Sequence, residues 1–248
     1  MTHKTDKCRI DALLTERGLV PSRHKARALI MAGKVLVDGV KVEKPGKEVS
    51  CEAEIAFKEV IPYVSRGGIK LAAALDGFHI NPEGLTVLDA GVSTGGFTHC
   101  LLMRGAARVV AVDVGYGQLD WSLRTDLRVI LLERTNVRFL EAGSVPYKID
   151  SAVADLSFIS LKIILPKIRD IVAPGGWIVP LVKPQFEVGR ADVGKSGVVR
   201  DPEKIRAAVE AVKSHAKDCG LELLGELESP IKGPKGNREF FLHLRKPS

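Results

Sequence analysis

The chain contains four short apolar runs that each stop at a charged residue. These runs are residues 86–89, 108–113, 151–155 and 177–183. Short runs rich in β-branched residues, separated by segments long enough for helices, indicate parallel strands buried on both faces. Ligands of such α/β sheets bind beyond the carboxyl ends of the strands. We therefore predict that the charged residues ending these runs meet in one cleft. They are Asp89, Asp113, Asp155 and Lys183.

Size and composition limit where such a chain can act. With 248 residues, 45% of them hydrophobic, it can bury one large core and a smaller second one. No segment approaches the roughly 18 apolar residues of a membrane helix, and the polar N-terminus does not resemble a signal peptide. The four cysteines are scattered without a CxxC pair, which indicates neither a zinc site nor a disulfide framework. We therefore expect a cytoplasmic protein that neither binds a metal nor associates with a membrane.

The positive charge is concentrated near the N-terminus. Residues 1–47 contain eleven Lys and Arg side chains against five Asp and Glu, an excess of six, whereas the whole chain carries +7. Such clustering is typical of a protein that binds a polyanion. On charge alone, a basic face that contacts only solvent remains the alternative.

The same N-terminal segment shows the pattern of two helices. Helical periodicity over residues 9–17 ends at Gly18, which is suited to a helix C-terminus. Ser22 is a suitable N-cap for a second helix that ends at Gly33.

A β-hairpin is predicted directly after these helices. Residues 35–42 alternate between apolar and polar side chains around Asp38-Gly39, a dipeptide that favours a tight turn. Charged residues 42–60 carry few strand signals, and residues 61–64 are predicted to form a linker. Helix, helix and hairpin form a small module with basic side chains on one side. They are Arg23, Lys25, Arg27 and Lys34.

This module resembles the RNA-binding domain named after the S-four ribosomal protein. The resemblance is carried by Arg9-Ile-Asp11, Leu14, Gly18, Ser22-Arg23, Ala26-Arg27, Ile30, Gly33-Lys-Val35 and Asp38-Gly39. It implies a small α+β domain over residues 1–60 that binds structured RNA mainly through phosphates. The basic residues expected to contact RNA are Arg9, Arg23, Lys25, Arg27, Lys34 and, in the following domain, Arg66.

A glycine-rich loop follows the first of the four strands. It is Asp89-Ala-Gly91-Val-Ser93-Thr94-Gly95-Gly96-Phe97-Thr98. It differs from a Walker loop, because no Lys-Ser/Thr follows Gly96, and from GxGxxG, because Ser93 replaces the second glycine. An acid before the first glycine suits a ligand with a positive group near an amino acid, such as S-adenosylmethionine. Asp113 could accept hydrogen bonds from ribose hydroxyls, although at this point NAD remains an alternative.

The residues after the third strand narrow the type of reaction. Asp155-Leu-Ser-Phe158 differs from the Asn/Asp-Pro-Pro-aromatic motif of methyltransferases that act on planar amines. No cysteine is placed as the nucleophile of a carbon-5 cytosine methyltransferase would be. These features favour an oxygen acceptor activated by Asp155 and Lys183. The alternative for Lys183 is a lysine whose stem is buried and whose ammonium contacts solvent.

The C-terminal part predicts a helix over residues 202–218, a strand near 221–228 and a last strand over 238–244. The two strands, joined by a turn rich in glycine and proline, suit an antiparallel hairpin at the sheet edge. Glu239 opens the last strand and could face either the cleft or solvent. Lys70, judged by its local sequence alone, is predicted to be a surface lysine.

The whole chain resembles the TlyA family, once called hemolysin A, in which the S-four-type domain precedes an FtsJ-like ribose methyltransferase. The motifs are 64–70, 88–98, 113–119, 133–136, 154–160, 180–187 and 236–239. The resemblance implies a Rossmann-like class I methyltransferase sheet over residues 65–248, an α/β fold that is mostly parallel with an antiparallel last strand. It also implies methyl transfer from S-adenosylmethionine to a cytidine 2′-hydroxyl in ribosomal RNA or ribosomal subunits.

The resemblance also assigns site residues. The Lys-Asp-Lys-Glu tetrad of FtsJ-like enzymes falls on Lys70, Asp155, Lys183 and Glu239. The residues expected to hold the cofactor are Asp89, Gly91, Ser93, Thr94, Gly95, Gly96, Phe97, Asp113 and Asn136. A membrane-active hemolysin and a non-catalytic ribosome-binding factor are the alternatives.

Overall fold

The computed structural model describes residues 6–57, 62–189 and 192–248. Its contacts divide the chain into two compact units, Met1–Ile61 and Pro62–Ser248. Each unit encloses its own apolar cluster. Ile61, which we predicted to begin a linker, lies outside the described residues.

The first unit is a small α+β module. Its elements are β1 (Lys7–Arg9), α1 (Ile10–Glu16), α2 (Arg23–Met31), β2 (Val35–Val37), β3 (Val40–Val42), β4 (Glu48–Ser50) and β5 (Ile55–Phe57). Strand β1 pairs with β4, and β2 lies between β3 and β5. The side chain of Ser22 accepts a hydrogen bond from the Lys25 amide at the start of α2. The predicted helices and hairpin are therefore present.

The prediction that residues 42–60 contain few strands is wrong. Strands β4 and β5 lie in this segment and pair with β1 and β2. Each has only three residues, so neither is long enough to show a clear alternation of apolar and polar side chains. Their partners in the sheet, rather than their own sequence, define them as strands.

The second unit is an α/β domain. Its elements are α3 (Arg66–Gly77), β6 (Thr86–Ala90), α4 (Gly96–Met103), β7 (Arg108–Val112), α5 (Trp121–Arg124), β8 (Val129–Leu132), β9 (Ser151–Ala154), α6 (Leu161–Ile171), β10 (Trp177–Val182), α7 (Pro184–Glu187), α8 (Pro202–Asp218), β11 (Glu222–Glu228) and β12 (Phe240–Arg245). Two 3₁₀ turns, Val137–Phe139 and Ala142–Ser144, follow β8.

A seven-stranded sheet runs through this domain in the order β11-β12-β10-β9-β6-β7-β8. Strands β10, β9, β6, β7 and β8 pair in parallel, and β12 is antiparallel to both of its neighbours. The predicted mostly parallel sheet with an antiparallel last strand is confirmed. Strand β8 was not among the predicted strands. The last strand, β12, lies between β10 and β11, so β11 rather than β12 forms this edge of the sheet.

The apolar clusters on the two faces of the sheet leave its carboxyl edge free for polar side chains. Leu88 and Val110 pack on the face covered by α6 and α8, whereas Val87 and Val109 pack on the face of α3 and α4. The strand order changes direction between β6 and β9, which is where ligands of open α/β sheets bind. Among the described residues, we find no helix with the length and apolar character required to cross a membrane.

Candidate active site

The ends of β6 and β9 approach each other closely at the point where the strand order changes. The Asp155 amide donates to the carbonyl of Ala90 over 2.9 Å. Gly91, the next residue, has a φ of +89°. A Cβ there would lie 2.5 Å from the carbonyl oxygen of Asp155, so this position requires glycine on both conformational and steric grounds.

Asp113 is held in a fixed orientation by backbone amides. The Ser93 amide donates to its Oδ2 over 2.8 Å, and the Gly115 amide donates to its Oδ1 over 2.7 Å. Ser93 itself has a φ of +49°. The backbone of the glycine-rich loop is therefore strained at Ser93, the residue whose amide binds the acid that follows β7. Each carboxylate oxygen retains capacity to accept a further hydrogen bond.

Asp89 occupies a different place from the other strand-end charges. Strand β6 continues one residue beyond it, and its side chain is fully buried. Thr98 Oγ1 donates to its Oδ2 over 2.7 Å, while within the described residues Oδ1 has no hydrogen-bond partner. Burial raises the pKa of Asp89 to about 7. The prediction that this acid ends its strand in the cleft is therefore wrong.

Three cavities meet at the carboxyl edge of the sheet. The loop cavity, about 200 Å³, is lined by the glycine-rich loop together with Arg66, Lys70 and Asp155. The aspartate cavity, about 500 Å³, is lined by Asp113, Asn136, Asp155 and Phe158 among others. The lysine cavity, about 380 Å³, is lined by Phe158, Lys183, Gln185 and Glu239 among others.

Shared walls connect these cavities. Gly91, Ser93 and Asp155 line both the loop cavity and the aspartate cavity. Phe158 lines the aspartate and lysine cavities, and Pro234 lines the lysine and loop cavities. A ligand that extends from one cavity into another would therefore pass the tetrad residues.

The four tetrad residues form two ion pairs. Lys183 Nζ lies 2.5 Å from Asp155 Oδ1 and donates to Ser157 Oγ over 3.2 Å. Lys70 Nζ lies 2.6 Å from Glu239 Oε2. Both lysines line cavities, so their ammonium groups combine access from the cavity with a fixed carboxylate partner.

Local sequence mispredicted one member of the tetrad. Lys70 is 6% exposed rather than on the surface, because it lies on the buried face of α3 and faces Glu239. Glu239, which the sequence left between cleft and solvent, is buried as well. The helix start that places Lys70 depends on Ser65, whose hydroxyl accepts from the Gly67 amide.

The remaining predicted cofactor residues fall into two groups. Thr94, Gly96 and Phe97 line the loop cavity, and Asn136 lines the aspartate cavity. Gly95 packs closely against α5 instead: it has a φ of +94°, and a Cβ there would lie 2.4 Å from Leu123 Cδ1. The described residues contain no cluster of His, Cys, Asp or Glu that could hold a metal ion.

Sequence reasoning missed Phe158. Its side chain is 91% exposed, its φ is +63°, and its ring centroid lies 5.0 Å from that of Phe186. A positive φ is unfavourable for a phenylalanine. Because the ring is exposed, hydrophobic burial does not offset this cost. The sequence did offer one signal for this residue, namely a large aromatic side chain three positions after a strand-end acid.

The predicted RNA-contacting arginines of the first unit line one groove. Arg9, Asp11, Arg23 and Arg27 line a cavity of about 570 Å³ on α1 and α2. Arg9 and Arg23 lie 3.0 Å and 3.4 Å from the carboxylate of Asp11. The Arg9 guanidinium, with a smaller effect of Arg23, lowers the pKa of buried Asp11 to about 2. This acid therefore fixes two of the arginines in the groove.

Lys25 and Lys34 are not among the residues that line this groove. Lys25 is two residues from both Arg23 and Arg27 on α2, and residues spaced by two point to different sides of a helix. The prediction that these basic residues share one side is therefore wrong for Lys25. Arg66 lines the loop cavity of the second unit.

Comparisons with known proteins agree on both units. The family described as FtsJ-like methyltransferase matches residues 63–246, and the S4 domain family matches residues 8–55. The 16S/23S rRNA (cytidine-2′-O)-methyltransferase TlyA of Mycobacterium tuberculosis is 50% identical over 96% of this chain and 90% of its own length. Hemolysin A of Brachyspira hyodysenteriae is 41% identical over 95% of this chain and 99% of its own length.

A solved structure covers nearly the whole fold. The protein from Streptococcus thermophilus, described as a candidate hemolysin, is 42% identical and has a TM-score of 0.76. The match covers 98% of this chain and 90% of the other.

Proposed function

The chain belongs to the FtsJ-like methyltransferase family and resembles its TlyA members throughout, and on this premise we propose that it methylates a cytidine 2′-hydroxyl in ribosomal RNA. The methyl donor is S-adenosylmethionine. One observation carries the proposal: two lysine–carboxylate pairs line the three connected cavities at the carboxyl edge of the sheet. The relative from Mycobacterium tuberculosis carries this activity in its name.

The residues around the aspartate and loop cavities fit S-adenosylmethionine. Asp113 offers two fixed carboxylate oxygens to ribose hydroxyls, and Asn136 lines the same cavity. Val114, Val137 and Leu156 supply apolar walls for an adenine ring. The amino-acid end would lie in the loop cavity against Ser93, Thr94 and Gly96. Asp89 acts indirectly in this arrangement, by holding Thr98 in the first turns of α4.

Lys183 acts on the ribose hydroxyl. S-adenosylmethionine supplies an electrophilic methyl group, whereas a ribose hydroxyl is a weak nucleophile at neutral pH. Catalysis therefore requires in-line placement and help in removing the proton. Lys183 lines the lysine cavity and can take that proton or, as an ammonium, stabilise the negative charge that develops on the oxygen. Asp155 and Ser157 hold its amino group for either role.

Lys70 and Glu239 position the acceptor. Their ion pair is buried, with side chains 8% and 1% exposed, and each residue lines a cavity on its own side. Phe158 offers a flat aromatic surface on which an unstacked base can lie. The first unit supplies affinity for RNA through Arg9, Arg23 and Arg27, with Lys34 as a further phosphate contact, and Arg66 of the second unit adds another.

Methyl transfer can be measured with labelled S-adenosylmethionine and purified ribosomal subunits, followed by nucleoside analysis of the digested RNA. We expect labelled 2′-O-methylcytidine from the wild-type protein. Lys183→Met should lower turnover by about 10²- to 10⁴-fold with unchanged cofactor affinity. Lys217→Met, at an exposed lysine of α8, serves as the matched control.

The same assay separates the alternatives. A non-catalytic ribosome-binding factor would bind subunits without transferring label. A membrane-active hemolysin would release dye from liposomes, and at the same protein concentration it would transfer no label to RNA. Lost cofactor affinity with normal turnover at saturation in Lys183→Met would contradict the role of this lysine.

A further inference from the structure

We propose that Gln185 selects the target base by hydrogen-bonding the Watson–Crick edge of the cytosine whose ribose is methylated. This assignment rests on the proposed function and extends it to a residue outside the tetrad. It explains how the site could distinguish cytidine from uridine, which have identical riboses.

The side-chain carbonyl of Gln185 is unsatisfied. Gln185 follows Lys183 and Pro184 at the start of α7 and lines the lysine cavity. Its Oε1 is buried, and no group in the described parts of the chain donates a hydrogen bond to it. Buried polar atoms are nearly always paired, because an unpaired one loses its hydration without compensation. A ligand donor would supply the missing hydrogen bond once the side chain turns Oε1 toward the cavity.

Three other polar side chains of the cavity wall are already engaged. Lys183 pairs with Asp155, and Glu239 pairs with Lys70. The Asn237 amide is used twice: its Oδ1 accepts from the Val199 amide over 3.0 Å, and its Nδ2 donates to the Gly197 carbonyl over 2.9 Å. Gln185 is therefore the amide in the described part of this wall with hydrogen-bonding capacity left for a ligand.

The position of Gln185 suits a base rather than a phosphate. Lys183, two positions earlier in the chain, is the residue that acts on the ribose. The rings of Phe158 and Phe186 line the same cavity, with centroids 5.0 Å apart and planes tilted by 50°. A base attached to a ribose at Lys183 could lie on the exposed ring of Phe158 and turn its edge toward Gln185. Stacking would provide affinity for any base, and the amide would provide the choice.

The hydrogen-bond pattern of a carboxamide favours cytosine over uracil. The 4-amino group of cytosine can donate to Oε1, and its N3 can accept from Nε2. Uracil offers a carbonyl and an N–H in the opposite order, so its carbonyl would face Oε1 when the amide keeps the orientation that pairs with cytosine. Adenine offers the same order as cytosine, so this contact separates cytidine from uridine and leaves purines to be excluded by size.

The test uses the full-length protein and an RNA fragment that contains the cytidine it methylates. A second fragment carries pyrimidin-2-one riboside at that position, which lacks the 4-amino group. The measured quantity is kcat/KM for transfer from labelled S-adenosylmethionine. The wild-type protein should prefer cytidine by about 10- to 100-fold, the cost of leaving the Gln185 oxygen without its donor while N3 keeps its own hydrogen bond. Gln185→Leu should lose a similar factor on cytidine and treat both fragments alike.

Two further variants keep the result interpretable. Gln185→Glu retains the side-chain length and an acceptor but loses the amide donor to N3, so it should lower transfer to cytidine with unchanged cofactor affinity. Asn81→Leu removes an exposed amide that lines none of the three cavities and should keep the wild-type preference. If Gln185→Leu loses the same factor on both fragments, or keeps the preference for cytidine, the assignment is overturned. Failure of the wild-type protein to methylate any RNA would instead overturn the proposed function, and this assignment with it.

Discussion

The Lys70 ammonium lies 2.6 Å from the Glu239 carboxylate, although 169 positions separate the two residues in the chain. One stands on α3 and the other directly before β12. Both are buried, so each charge depends on the other for compensation.

The first prediction concerns the stability contributed by this ion pair. Glu239→Gln and Lys70→Met should each lower the free energy of unfolding by about 3 to 5 kcal/mol, because each leaves one buried charge without a partner. The double variant should lose less than the sum of the two. Urea unfolding of the four proteins measures this coupling. Additive losses would show that the two charges do not compensate each other.

The second prediction concerns the pH dependence of stability. The folded-state pKa of Asp89 is raised by burial from the ordinary value of 3.8 to about 7. Between these values the folded protein keeps a proton that the unfolded chain releases. The contribution of Asp89 to the free energy of unfolding therefore falls as the pH rises, by at most about 1.4 kcal/mol per pH unit.

Asp89→Asn should remove this contribution, because the amide does not ionise. The free energy of unfolding of both proteins is measured with urea at about pH 5 and about pH 7.5. This interval includes most of the range between the two pKa values, so it shows the difference in pH dependence. Equal dependence in the two proteins would mean that Asp89 is ionised in the folded state throughout.

The third prediction concerns the cofactor. Asp113→Ala should weaken binding of S-adenosylmethionine by about 10- to 100-fold, the effect expected from losing hydrogen bonds to a charged acceptor. Calorimetric titration measures the affinity. Asp218→Ala, at an exposed carboxylate at the end of α8, is the matched control and should bind normally. Wild-type affinity in Asp113→Ala would remove this acid from the cofactor site.

The fourth prediction concerns RNA binding and compares two cations of the same helix. Arg27 lines the groove that also holds Arg9 and Arg23, whereas Lys25 is not among its lining residues. Arg27→Gln should lower RNA affinity and reduce the slope of log affinity against log salt by about one, as loss of one phosphate contact does. Lys25→Gln should change the slope less. Fluorescence anisotropy over a series of salt concentrations measures both, and equal slopes for the two variants would contradict the groove as the binding surface.

Much of the sheet could be predicted because buried parallel strands have a strong local signature. Three of the four strand-end charges, Asp113, Asp155 and Lys183, directly follow β7, β9 and β10 as the apolar runs indicated. The edge strand β8 and the three-residue strands β4 and β5 were missed. Their residues form strands through pairing with neighbours, and this information is absent from short segments.

The placement of side chains around the site was harder to predict. Asp89 looks equivalent to the other strand-end acids in the sequence, yet it lies inside β6, where its buried carboxylate bonds Thr98 of α4. Lys70 looks like a surface lysine until α3 packs against the sheet. The exposure of Phe158 depends on a backbone conformation that its residue type disfavours.

The amino-acid sequence by itself determined the alternation of strands and helices, the charges at the strand ends and the glycine positions, because these depend on residues close together in the chain. The pairing of Lys70 with Glu239, the burial of Asp89 and the unsatisfied carbonyl of Gln185 were decided only by the tertiary structure. Each of these features depends on which distant segments pack together, and packing sets the distance between charges and the access of water to polar atoms.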